Sequence, residues 1–383
     1  MELVYLYENR YIDKQLASYD VLVEHIKQTP KLHTYFDMDF KGIKPKNYCG
    51  FLSIDNQNYF IIPKITDKND QNLNTFIYML IYAYDIKLKN EDLVEATNQE
   101  HYIYELFIWL FSDALLDEFK KGVFKKYITM QENLKVLRGK YIIEKNFNNF
   151  YHQNLYCEFD EFSMDNELNR FFLYAIRTFK KFSNYSNLHK CEAILDEVVY
   201  LNIDFKRRNL QFDRMNSRYK KSYEVALMIL QKLVPMTQKS TDKSFAFLFD
   251  MAEVFEGFVG RLYKEIDSSN ILQGERNYGS FKLKPDIVTS QKIIDTKYKK
   301  VNDRSSLSVQ DKYQMFVYGK NYEYLDVMLL YPRHLENLSD NLKLGKGEGL
   351  IRLEMRSLDL DYIGGYSEYI NEMRKRLESI DER

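Results

Sequence analysis

At 383 residues, with 45% hydrophobic and 15% aromatic side chains, the chain is too apolar to be a disordered polymer and longer than one ordinary core, so two or three cooperating units are expected. Lys plus Arg number 55 and Asp plus Glu 56; the resulting charge of −1 excludes a wholly basic, histone-like binder of nucleic acid but leaves room for a local basic cleft. Short strand-like segments come first: Glu2 to Tyr7, Gly50 to Ile54, a polar turn, then Tyr59 to Ile62 stopped by Pro63. They predict a β-rich unit over residues 1–70. From Asn74 to about Phe147 the apolar spacing becomes helical, with Phe76, Met79, Leu80 and Tyr84 in one segment and Leu106, Trp109, Leu110 and Leu115 in another. A second helical stretch is expected from Asp165 to about Val234, which makes 71–235 a helical middle region. It carries a basic run of Lys206, Arg207, Arg208, Arg214, Arg218, Lys220 and Lys221, most simply a solvated helix face. A polar stretch, Thr237 to Lys243, marks the main boundary.

The last unit, 236–383, reads as a helix (Ser244 to Ile266), two strands (Phe281 to Thr289 and Lys292 to Lys299), a helix (Ser308 to Tyr322), a strand (Tyr324 to Tyr331) and a terminal strand and helix. The expected fold class is therefore α/β: a mixed sheet flanked by helices, preceded by a β-rich and then helical N-terminal region. Cys49, Cys157 and Cys191 stand far apart with no CxxC pair, which fits a reducing cytoplasm rather than a disulfide framework or zinc ribbon. No apolar run approaches the ~18 residues that span a bilayer, so no membrane association is expected.

The chemistry concentrates in the two strands of the last unit. If Ser290-Gln291 forms a two-residue hairpin loop, 287 pairs with 294 and Asp286 faces Asp295, with Lys297 on the same side. Opposed carboxylates repel unless a divalent cation lies between them, and oxygen donors suit Mg²⁺ or Mn²⁺. The preceding helix shows an apolar stripe of Phe247, Leu248, Met251, Val254, Phe255, Phe258, Val259 and Leu262. Glu256 lies on its flank, within reach of the pair, whereas Glu253 points away. Downstream, Ser308 and Asp311 have capping-box spacing, and Gln314 and Tyr318 share one helix face.

This series, a helix Glu, Pro285-Asp286, Asp295-Thr296-Lys297 and then Gln314 to Tyr318, resembles the PD-(D/E)xK nuclease core with a trailing QxxxY helix, as in RecB-like nucleases. The text around it is similar to the McrC family, the nuclease subunits of McrBC and LlaJI-type modification-dependent restriction systems. Phe249-Asp250-Met251 with Phe255-Glu256, LKPDIV with IIDTKYK, IIPKI at Ile61 to Ile65, the Gly122 to Gly139 stretch, and CEFDEFSMDNELNR from Cys157 carry that resemblance.

The resemblance implies hydrolysis of double-stranded DNA, with Asp286, Asp295 and Glu256 holding Mg²⁺, Lys297 stabilising charge on the phosphate, and Gln314 and Tyr318 supporting them. Lys292, Lys299, Lys300 and Arg304 flank the site as expected backbone contacts. It further implies a McrB-like hexameric AAA+ GTPase partner that receives the N-terminal part of this chain, with Arg138 a candidate contact. GTP belongs to that partner: the cluster Gly345-Lys346-Gly347-Glu348-Gly349 lacks GxxxxGK[ST] spacing, so no nucleotide is expected on this chain. A stand-alone RecB-like repair nuclease and a non-catalytic, motor-activating subunit are the alternative readings.

Overall fold

The computed structural model describes residues 3–55, 57–63, 65, 69–86, 103–147, 153–201, 210–235, 244–301, 304–333 and 338–381. They pack as two units, one made of Met1–Ile103 with Val234–Arg383 and the other of Tyr104–Leu233. Among the described residues no helix is long and apolar enough to cross a membrane.

The first unit begins with β1 (Leu3–Tyr7), β2 (Tyr48–Ile54), β3 (Gln57–Ile62) and α1 (Asn69–Ala83). The chain returns to it as β4 (Phe245–Asp250) and α2 (Met251–Ile266). β1 runs parallel to β3, β3 is antiparallel to β2, and β4 is antiparallel to β2 from Phe245↔Ser53 to Asp250↔Tyr48. The division expected at residue 70 is therefore not the one the packing makes, because N-terminal strands share a sheet with the start of the last third. The helix expected from Ser244 also begins later. Phe245 to Phe249 are all buried, and a short run apolar on every side fits a central strand as well as a helix. Phe247 and Leu248 thus belong to β4, and the helix starts where the Asp250 side chain accepts from Ala252 N at 2.8 Å.

A second sheet follows. Its elements are β5 (Ile271–Leu272), β6 (Arg276–Tyr278), β7 (Phe281–Leu283), β8 (Ile287–Val288), β9 (Ile293–Thr296), α3 (Val309–Tyr322), β10 (Asp326–Pro332), β11 (Ser339–Leu344), β12 (Ile351–Leu358) and α4 (Tyr366–Asp381). Six strands run in the order β5-β8-β9-β10-β12-β11, parallel across β9, β10 and β12 and antiparallel elsewhere, which is a mixed α/β arrangement. β6 and β7 pair only with each other. The single strand expected over 281–289 is broken by Lys284-Pro285-Asp286, since Pro285 has no N–H to give a ladder. One face of the sheet packs on α3 through Ile293, Val327, Leu329, Leu353 and Met355 against Met315 and Tyr318. α2 packs on β4 and β9 as well as on α1 and α4, so Glu256 is carried by the element shared between the two sheets.

In the second unit, helices Glu167–Phe179, Ser186–Ile194 and Lys220–Lys232 surround a buried aromatic cluster that includes Phe111, Phe171, Phe172, Phe179 and Tyr219. The expected helical run to 147 is interrupted. Lys126–Leu134 and Leu155–Ser163 form antiparallel strands, with Lys140–Tyr141 on the far side of the latter. Most side chains of Lys126–Leu134 meet solvent, so their alternation carries no apolar period for a sequence to show. Arg218 in the basic run stacks on Tyr219, 4.8 Å from its centroid, and donates to Gly122 O. Lys206, Arg207, Arg208 and the stretch 237–243 lie outside the described residues.

Candidate active site

The site is assembled at the β8–β9 hairpin. Ile287 pairs with Ile294 and Val288 with Ile293, the register read from the sequence. Thr289 closes the turn: its N–H donates to Lys292 O at 3.0 Å, and its Oγ1 accepts from the N–H groups of Gln291 and Lys292. Beyond the ladder, Asp286 turns its Oδ2 to the N–H and hydroxyl of Thr296, both at 2.7 Å. Two donors therefore fix this carboxylate from the strand that carries Asp295.

Asp295 is only 1% exposed. Its Oδ1 accepts from Gln314 Nε2 at 3.3 Å, and the same amide donates to the Tyr318 hydroxyl at 3.0 Å. Tyr318 in turn donates to Lys284 O at 3.1 Å, so one turn of α3 ties Asp295 to the segment that leads into Asp286. Ser308 makes that placement possible by capping α3 on Asp311 N. Asp295 Oδ2 lies 2.5 Å from Lys297 Nζ in a largely buried ion pair. Glu256 accepts from Gln273 through Oε1. Glu253, three residues earlier on α2, is exposed.

The electrostatics link all four groups. Burial, then the neighbouring Asp286 carboxylate, pushes Asp295 well above the ordinary carboxylate range, against the pull of Lys297. Glu256 is raised first by burial and then by Asp286. Burial draws the Lys297 ammonium down, but the Asp295 and Asp286 carboxylates outweigh it and hold the group above its ordinary value. Such strain between like charges is what a cation or a phosphate-bound cation relieves.

Three carboxylates give hard oxygen donors, and Asp295 Oδ2 among them is held by the Lys297 ammonium. Among the described residues, however, no group of three or more His, Cys, Asp or Glu is gathered tightly enough to form a ready cation cage.

The flanking cations divide. Lys292 is 8% exposed and pairs with Glu354 at 3.3 Å and Asp381 at 3.5 Å; it points into the protein, and the expectation that it meets DNA is corrected. Lys299 pairs with Asp311, and Lys300 is exposed. The Arg304 side chain lies outside the described residues. In the second unit, Arg138 is exposed beside Gly139 with its guanidinium 4.1 Å from the Phe159 ring centroid. Sequence reasoning missed Lys284, an exposed ammonium group whose charge is felt at Glu256, and Gln273, which holds Glu256. The LKPDIV text placed Lys284 two residues before Asp286 and was the available signal.

Fold and site together define an α/β protein with a buried carboxylate–lysine pocket at one end of a mixed sheet. The chain belongs to the family described as McrBC 5-methylcytosine restriction system component, whose model matches residues 43–332. It is similar to a chain in the refined half-complex from the tetradecameric assembly of Thermococcus gammatolerans McrB AAA+ hexamers with bound McrC. There the TM-score is 0.62 at 22% identity, covering 99% of this chain and 100% of that one. A chain of the cryo-EM structure of the Thermococcus gammatolerans McrBC complex matches with a TM-score of 0.51 at 26% identity, covering 68% of this chain and 87% of that one. No curated protein matches the sequence.

Proposed function

We propose that this chain is a Mg²⁺-dependent endonuclease subunit for double-stranded DNA, built on a PD-(D/E)xK core, in a GTP-driven, modification-dependent restriction complex of the cytoplasm. Its partner is a McrB-like hexameric AAA+ GTPase whose turnover it stimulates; family membership and the fold shared with a chain from a McrB–McrC assembly support that pairing. The observation that carries the nuclease reading is the buried Asp295–Lys297 ion pair beside Asp286, which is fixed on Thr296 of the same strand, with Glu256 within electrostatic reach.

Held by Asp286, Asp295 and Glu256, Mg²⁺ or Mn²⁺ would polarise the scissile phosphate and make a bound water more acidic. Lys297, kept protonated by its carboxylate neighbours, lies ready to move from Asp295 Oδ2 toward charge developing on the phosphate oxygens. Gln314 and Tyr318 act one step back. They hold Asp295 Oδ1 and the Lys284 carbonyl, fixing the two acidic residues relative to each other. Lys299, Lys300 and Arg304 are proposed to meet the DNA backbone, with Lys299 exchanging Asp311 for phosphate. Residues 1–70 and Arg138 are proposed to face the AAA+ ring, which alone carries GTP.

The test combines the purified chain with duplex DNA, Mg²⁺ and GTP, with and without the AAA+ partner. Cleavage that requires both proteins, with faster GTP hydrolysis, is the expected result. Cleavage by the chain alone would instead identify a stand-alone repair nuclease, and faster GTP hydrolysis without cleavage a motor-activating subunit.

A further inference from the structure

The β6–β7 hairpin has no place in the six-stranded sheet, yet it runs directly into the candidate site. Arg276 pairs with Leu283, Asn277 with Lys282 and Tyr278 with Phe281, leaving Gly279-Ser280 as a two-residue turn. Gly279 has a φ of +60°, the left-handed value that the first position of a type II′ turn requires. A Cβ built on Gly279 would meet no atom within 4 Å, so the tip stands clear.

The two faces of this hairpin differ. Tyr278 and Leu283 pack against the core beneath α3, where Tyr278 lies 5.3 Å from the Tyr322 ring and the Arg276 guanidinium 5.1 Å from it. The Tyr322 hydroxyl, 2.6 Å from Gly274 O and 3.1 Å from Leu283 O, donates at the hairpin's base, next to the Tyr318 bond to Lys284 O. The hairpin is thus anchored by the same helix that orients Asp295. Its opposite face turns Asn277 and Lys282 to solvent, and Lys284 follows one residue beyond the ladder; Phe281, opposite Tyr278 at the tip, reaches past the core and is 62% exposed. Among the described residues the Lys282 ammonium pairs with Glu275, in an exposed pair at 3.0 Å whose worth is small enough to be exchanged. The Lys284 ammonium makes no hydrogen bond or ion pair among the described residues, though its charge is felt at Glu256.

We infer that this hairpin is a DNA-engaging finger of the candidate nuclease site, with Lys282 and Lys284 on phosphates of the strand to be cut and Phe281 against its sugars and bases. The inference rests on the nuclease reading for the identity of the ligand. Charge and continuity select DNA over a protein: the stretch 275–284 carries three cations, Arg276, Lys282 and Lys284, against one acid, Glu275, and the chain leaves β7 through Lys284-Pro285 to Asp286. Cationic side chains fix the backbone, while an exposed ring tolerates any base.

Binding of a short duplex to the full-length chain, measured by fluorescence anisotropy across a salt series with Ca²⁺ in place of Mg²⁺, tests this without cleavage. The Lys282→Gln/Lys284→Gln variant is expected to bind about tenfold more weakly, with a log K versus log salt slope shallower by about two. Phe281→Ala should weaken binding with the slope unchanged, and all variants should melt like the wild type. Affinity and slope equal to the wild type would overturn the inference. So would loss of GTPase stimulation with DNA binding intact, which would mean that a protein docks there. A wild type that shows the hairpin-dependent slope but never cuts DNA would remove the nuclease reading and leave the contact standing.

Discussion

Lys284 and Lys292 bracket the candidate hairpin with the same charge, yet only one remains available to a phosphate. Lys292 is drawn inward by Glu354 of β12 and Asp381 of α4, residues too distant in sequence for local reading to connect. A buried cation stripped of its partners costs several kcal/mol, so those acids belong to the architecture rather than to DNA recognition. Another acid, Glu8, just after β1, accepts a hydrogen bond from the Tyr298 hydroxyl at 2.6 Å, and Tyr298 is the residue after Lys297. Burial, opposed by the bonds from Tyr298 and Cys49, raises the Glu8 carboxyl to about 8. A carboxyl whose folded value lies above its unfolded one stabilises the fold fully below the unfolded value and loses that contribution as pH rises through the folded one. Glu8→Gln should therefore gain in melting temperature relative to the wild type as pH rises from about 4.5 to about 8. A difference between the two proteins that does not change with pH would show that Glu8 is already ionised in the fold.

At the scale of elements, the β2–β4 pairing joins the two ends of the chain. Gly50 makes it possible. Its φ of +136° is disfavoured for other residues, and a Cβ there would stand 2.3 Å from Phe247 O. Gly50→Ala is expected to cost ~3 kcal/mol or more in denaturant unfolding, by forcing β2 away from β4; a loss within ~0.5 kcal/mol would mean that the pairing yields without strain. This junction was hidden in the sequence because Phe245 to Phe249 carry no period, whereas the β8–β9 hairpin was legible to the exact register. A two-residue loop leaves only one pairing, and the period of two then assigns Asp286, Asp295 and Lys297 to one side. Glu256 was legible for a similar reason, since helical geometry alone separates it from Glu253. The split at Pro285 and the free-standing β6–β7 hairpin were not, because a continuous strand satisfied the same apolar pattern.

For the whole molecule, the chain builds its first unit from its first and last parts, and the second unit is drawn from the sequence between them. Sequence composition located a boundary near 235 but could not show that residues 1–70 close back on the last third, since strand partners carry no mark of each other. In the proposed complex this arrangement puts residues 1–70, assigned to the AAA+ partner, and the carboxylate cluster in one folded unit, so GTPase stimulation serves as an internal control for the folding of that unit. The decisive measurement is DNA cleavage by Asp295→Ala and Lys297→Ala chains assembled with the AAA+ partner, with GTP hydrolysis followed in the same tubes. Both variants should stimulate GTP hydrolysis as the wild type does while cleavage falls by at least ~10²-fold. Cleavage at the wild-type rate by either variant would contradict the assignment of this pocket to phosphodiester hydrolysis.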